Sequence, residues 1–139
     1  MPDVYVEVGA MAYSTDTKKV ATKYAVKVQK LMREAAVKAI RTASGFTPDK
    51  KGDPTGFHFD ATLSEIAFGT YQGQPSVTCK VNGSIETYPR KELVTKTLTG
   101  SATVVGGTSD RDVEDCIGEV MKATVKDRVI PLLKQKSKP

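Results

Sequence analysis

The chain has 139 residues and a net charge of +5, from 21 Lys and Arg against 16 Asp and Glu, with no Trp and only nine aromatic residues. That length predicts one domain spanning 1–139, able to bury roughly two-thirds of its unfolded surface without metal or disulfide staples. No apolar run approaches the ~20 residues of a membrane span, so a transmembrane helix is excluded. With so few aromatics the core must be built from Val, Ile, Leu, Ala and Met.

The chain opens on Val4, Val6, Val8 and Ala10 alternating with Tyr5, Glu7 and Gly9, a short strand by its period of two. No secretory leader is visible ahead of it. This leaves a cytoplasmic protein, or a periplasmic or extracellular domain read without its leader. Ser14, Thr15 and Thr17 are N-cap candidates for a first helix from about Thr17 to Ala43. Its apolar stripe comprises Ala21, Ala25, Val28, Met32, Ala36 and Ala39, flanked by Tyr24, Leu31, Ala35 and Ile40. Gly45 and Thr47-Pro48 supply the stop.

Residues 46–56, with two prolines and two glycines, read as a surface loop. Phe57, Phe59, Ala61 and Leu63 then point one way, with His58, Asp60, Thr62 and Ser64 on the other. The phase slips to Ile66 and Phe68, which predicts a β-bulge or strand end near Glu65. Gly69 to Gln74 is a turn. Val77, Cys79, Val81 and Ile85 define the next strand. Val94, Leu98, Ala102 and Val104 define the last, joined to it around residues 88–91.

Two rules collide at Asn82-Gly83. The dipeptide is a strong hairpin signal, yet a turn there would set apolar residues opposite polar ones. Register follows burial, so the strand is read as continuous.

After Gly106-Gly107, Thr108 or Ser109 caps a second helix reaching about Lys134. Its apolar positions are Val113, Cys116, Ile117, Val120, Met121, Thr124, Val125, Val129, Ile130, Leu132 and Leu133. Acidic residues crowd its start and basic ones its end, as the helix dipole favours. Pro131 should kink or fray the last turn, and residues 134–139 form a basic, flexible tail. The order is β-α-β-β-β-α, an α+β two-layer sandwich: a mostly antiparallel four-stranded sheet with both helices on one face.

Motifs that carry chemistry are sparse. His58 is the sole histidine. It shares a strand face with Asp60 and Ser64, but residues two apart are ~6.6 Å apart along a strand, so the set reads as a solvated polar face. One His and two separated Cys hold no zinc spacing. Asp49 and Asp53 fall far short of a calcium loop. Gly106-Gly107-Thr108-Ser109 resembles a phosphate cradle, but the carboxylates that follow would repel an anion. Asn82-Gly83-Ser84 fits the N-glycosylation pattern, which matters only in a secreted context. No catalytic constellation, cofactor motif or metal site emerges, and the chain reads as a non-enzyme.

Cys79 faces inward from the sheet, and Cys116 lies on the apolar side of the second helix. They are either two buried reduced thiols or a bridge closing roughly 37 residues, worth ~3–4 kcal/mol. Charge is the strongest pointer to function. Lys23, Lys27, Lys30, Lys38 and Arg41 fall along one side of the first helix, opposite its apolar stripe. Such a face is either a solvated surface or a binding surface for an acidic partner, an anionic envelope or nucleic acid. It lacks the interleaved aromatics and paired Arg that nucleic-acid readout uses.

The layout of helix, strands and closing helix, with Thr99-Gly100-Ser101-Ala102-Thr103-Val104 running into a capped helix, is similar to small periplasmic or surface α+β modules of bacteria that act in envelope assembly. The resemblance implies a binding or assembly module of the cell envelope or surface. It would engage a protein partner, or a second copy, through the sheet edge or polar face. The alternative is a cytoplasmic nucleic-acid or polyanion binder using the basic first helix.

Overall fold

The computed structural model describes residues 3–23 and 27–137. Its elements in chain order are β1 (Val4–Tyr13), α1 (Thr15–Lys23), α2 (Val28–Thr42), β2 (Phe46–Thr47), β3 (Gly56–Tyr71), β4 (Gln74–Tyr88), β5 (Leu93–Val105), α3 (Asp110–Thr124), a π-helical segment (Val125–Val129) and α4 (Ile130–Lys136). The expected mostly antiparallel four-stranded sandwich is overturned. Five strands form a mixed, curled half-barrel in the order β2-β1-β3-β4-β5.

β1 is parallel to both β2 and β3, whereas β3 with β4 and β4 with β5 are antiparallel. The connections explain the mixture. Helices carry the chain back along the sheet between β1 and β3, so β3 enters from the end at which β1 began. Short turns force reversal only later. The β3–β4 turn is Gln72-Gly73, both at positive φ (+50° and +78°), as a tight hairpin matching the strand twist requires. Phe46 and Thr47, assigned to a loop by their composition, add a two-residue parallel strand beside Val4 and Tyr5.

Curling has local causes. Register shifts lie between Val8 and Met11, between Leu63 and Glu65, and between Gly83 and Glu86. Each bends its strand and increases twist. The slip expected near Glu65 is one of them. The bulge at Gly9-Ala10 exchanges Ala10 for Met11 on the inner face, where Met11 is buried. Through Asn82-Gly83, β4 continues without turning, and Val77, Cys79, Val81 and Ile85 all lie in the core.

The single first helix expected from the periodicity is two helices. Tyr24 and Ala25 of its stripe lie outside the described residues. Ser14 caps α1, accepting from the Thr17 N–H at 3.3 Å, and the Thr17 hydroxyl donates to the Leu63 carbonyl at 3.2 Å. α1 therefore follows β3, whereas α2 packs over β1 and against α3. A straight rod cannot follow both on a curled sheet. α2 buries Val28, Met32, Ala36 and Ile40, one side chain per four residues, and stops at Thr42 ahead of Gly45 at φ +89°.

Ser109 caps α3 in a reciprocal capping box. The Asp112 N–H donates to its hydroxyl, and its own N–H donates to Asp112 Oδ2 at 2.9 Å. The Ser109 hydroxyl also donates to Asp112 Oδ2 at 2.6 Å, and this bond, with that from the Ser109 N–H, holds the Asp112 carboxyl below its ordinary range. Pro131 neither frays nor ends the helix. It has no N–H to offer the Asp127 carbonyl, and its ring would strike the preceding turn. The widened π turn at Val125–Val129 stands just ahead of it, where such bulges relieve this mismatch. Among the expected apolar positions of this helix, Leu132 alone is not fully buried. No helix among the described residues is long and apolar enough to cross a membrane.

Candidate functional site

The basic side expected along one helix is divided. Lys23 ends α1 and Lys27 precedes α2 as its N-cap. Lys30 lies 4.0 Å from Glu34, and Arg41 is paired with Asp49 at 2.9 Å. Lys38 points elsewhere, into a groove of about 680 Å³ between α2 and the α3–α4 helix. Ala35, Ala39 and Gly118 floor this groove, and Lys38, Lys122, Lys126 and Lys134 rim it beside Glu119. Sequence reasoning found Lys38 but missed the other three, because they belong to a helix that meets α2 only in three dimensions.

On the opposite, uncovered face of the sheet the structure assembles a second cluster. Glu7 of β1, His58 of β3 and Glu86 of β4 are direct cross-strand neighbours in one row. His58 Nδ1 lies 2.5 Å from Glu7 Oε1, and Nε2 lies 2.9 Å from Asp60 Oδ1. The expectation that His58 and Asp60 stand too far apart is thus corrected. The two residues share a strand face, and their side chains lean together across the gap.

Asp60 Oδ1 also accepts from the Ala10 N–H at 2.6 Å, inside the β1 bulge. Gly9 makes room for this, since a Cβ there would lie 2.2 Å from Asp60 Oδ1 and 2.3 Å from the His58 ring. Arg33 of α2 donates to the Val8 and Gly9 carbonyls at 2.8 and 2.6 Å, bracing the same bulge. The imidazole is 12% exposed, and Glu7 and Asp60 about a third, so the ring is held from below and open to water above.

Two residues before Glu7 on β1 stands Tyr5, whose hydroxyl burial and the nearby Glu7 carboxylate push up in pKa. Tyr5 meets Tyr88 edge-on at 5.1 Å, and the Lys50 ammonium lies 5.7 Å above the Tyr88 ring. The signal for the cluster was weak in the sequence. It was visible only as polar residues at every second position of two strands.

Cys79 and Cys116 meet in the core as their faces implied. Both are free thiols, and Cys116 donates to the Val77 carbonyl at 3.3 Å. The hydrogen bond with Cys116, together with burial, pushes the Cys79 thiol far above its ordinary range. The pair sits beneath the sheet as packing, remote from solvent.

The architecture thus defines the class: a curled five-stranded half-barrel cradling α2 and the α3–α4 helix, with polar residues on its uncovered face. No protein-family model matches the chain, and no curated protein matches it in sequence. Solved bacterial structures share its fold. A DUF330 protein of Xanthomonas campestris superposes with a TM-score of 0.63 at 12% identity, covering 98% of this chain and 90% of that one. A candidate lipoprotein of Caulobacter crescentus gives 0.57 at 12%, covering 96% and 93%. A PelC dodecamer from Paraburkholderia phytofirmans gives 0.52 at 12%, covering 95% and 89%. At such identity the likeness is one of fold.

Proposed function

We propose that this chain is a non-enzymatic binding or assembly module of the bacterial cell envelope, engaging a protein partner or a second copy through β5. The observation that carries the reading is the state of that edge. β5 ends the sheet order, spans 13 residues, contains no proline and carries Lys96 as its one charge. Leu93 and Val105 at its two ends are 61% and 44% exposed. Natural edge strands are guarded by several charges, prolines or a covering element, and an edge this long and this neutral is a template for strand addition. Thr99, Ser101 and Thr103 project from it on the uncovered side. The fold shared with a candidate lipoprotein and with a protein that assembles as a dodecamer supports an envelope setting and self-association.

The test uses light scattering coupled to gel filtration, over ~5 to 200 µM protein. The wild type is expected to gain mass with concentration. Thr99→Lys/Thr103→Lys is expected to stay monomeric, because charge on the edge blocks pairing, with an unchanged melting temperature. If the wild type stays monomeric, and a photo-cross-linker at Thr99 captures no protein in cells, the reading fails.

A second reading, polyanion binding, is favoured by the lysine-rimmed groove rather than by the first helix. It expects heparin affinity at ~50 mM salt that falls steeply as salt rises. That affinity should weaken in Lys122→Glu/Lys126→Glu and stay unchanged in Lys23→Glu/Lys27→Glu/Lys30→Glu. Equal losses in both variants would return the site to the helix face.

A further inference from the structure

We propose that His58, Asp60 and Glu86 form a binding site for a divalent transition-metal ion, Zn²⁺ foremost, on the uncovered face of the sheet. One ligand atom from each residue lies within 4.8 Å of the others, a spread that small side-chain rotations close onto one ion. An imidazole nitrogen with two carboxylate oxygens is a donor set for Zn²⁺ and its borderline neighbours, rather than for Ca²⁺ or Mg²⁺, which take oxygen.

The surroundings are built as a metal site requires. Glu7 Oε1, 2.5 Å from Nδ1, holds the proton on that nitrogen and leaves Nε2 facing Asp60. A carboxylate behind a ligating histidine is the usual means of fixing its tautomer and orientation. Asp60 is fixed in turn by the Ala10 N–H, so two of the three ligands are oriented before any ion arrives. The contact between Nε2 and Asp60 Oδ1 also asks for a cation. With the ring's single proton on Nδ1 and the carboxylate ionised, neither atom can donate. Either a second ring proton or a metal ion must stand between them.

Charge points the same way. Three carboxylates, Glu7, Asp60 and Glu86, converge on one imidazole. Even the doubly protonated ring leaves the group net negative, and a divalent ion brings it closer to neutral. Three protein ligands leave a coordination position open to solvent, which water or a donor from a bound partner would take. The spacing rules applied to the sequence look along the chain for ligands, whereas this set is gathered across β3 and β4 with its support on β1.

The experiment uses the full-length protein stripped with EDTA and dialysed. Adding ZnCl₂ is expected to raise its melting temperature by several degrees, and MgCl₂ at the same concentration to leave it unchanged. CoCl₂ is expected to give visible d–d bands of a nitrogen and oxygen site, without a near-ultraviolet thiolate band. His58→Ala and Glu86→Gln are expected to lose both responses. Glu86→Gln, exposed enough to fold normally, separates loss of the site from loss of the fold by its unchanged melting temperature in EDTA. A zinc response that persists in both variants, a thiolate band that puts the ion on Cys79 and Cys116, or no response in the wild type would overturn the proposal.

Discussion

Replacing Phe59 with Ala is expected to cost about 3–5 kcal/mol of stability. The ring is 0% exposed in the first part of β3, the strand that pairs with both β1 and β4. Its cross-strand neighbours are Val8 and Ile85, and the bare backbone of Gly83 gives its edge the space it occupies, since a Cβ there would come within 3.0 Å. Truncation therefore leaves a cavity walled by strands that cannot collapse independently. Natural domains hold only 5–15 kcal/mol in total, so this one change takes a large share. Urea unfolding followed by far-ultraviolet circular dichroism measures it as a fall in midpoint at constant slope. Leu93→Ala, at a site 61% exposed, should stay within about 0.5 kcal/mol. A Phe59→Ala loss no greater than that would mean that the half-barrel does not close around this ring.

The second large effect is expected at Gly100, where the end of α3 meets β5. A Cβ built on Gly100 would stand 1.8 Å from Thr124 Oγ1 and 3.0 Å from Thr124 Cβ. Thr124 is buried, and its hydroxyl donates to the Val120 carbonyl at 2.6 Å. Turning its χ1 could move the oxygen but not the Cβ, so the helix itself must shift. Gly100→Ala is expected to cost about 2–3 kcal/mol, at the upper end for overpacking by one methyl group. Adding Thr124→Ala removes the oxygen and should return part of that loss, giving a coupling above about 0.5 kcal/mol in a double-mutant cycle. Simple additivity of the two substitutions would show that helix and strand do not touch there.

What the composition and periodicity carried can be named residue by residue. The inner faces of β3 and β4, the buried positions of α3, a cap at Thr108 or Ser109, an irregularity near Glu65 and the unbroken strand through Asn82-Gly83 were all legible. Each depends on the period of burial or on one residue's local hydrogen bonding, and both are written along the chain. The curled mixed sheet was not legible. Period two says which side a residue faces, but is silent on which strand lies beside it, so the parallel pairing of β1 with β3 went unseen. The break between α1 and α2 escaped for a related reason: each half is amphipathic, but they bury their stripes against different partners.

The sites divide along the same line. Lys38 could be picked out from its helix, and Cys79 and Cys116 from their inward faces, because side-chain direction is a local property. The lysine groove gathers Lys38 with Lys122, Lys126 and Lys134 from two helices. The polar cluster gathers Glu7, His58, Asp60 and Glu86 from three strands. Neither gathering is encoded in any spacing. Linear order alone determined the buried faces, the caps and the absence of a membrane-spanning run. Strand neighbourhood, sheet curvature and the meeting of charged side chains were decided only when the core closed, because contacts between residues tens of positions apart depend on how the whole apolar surface packs.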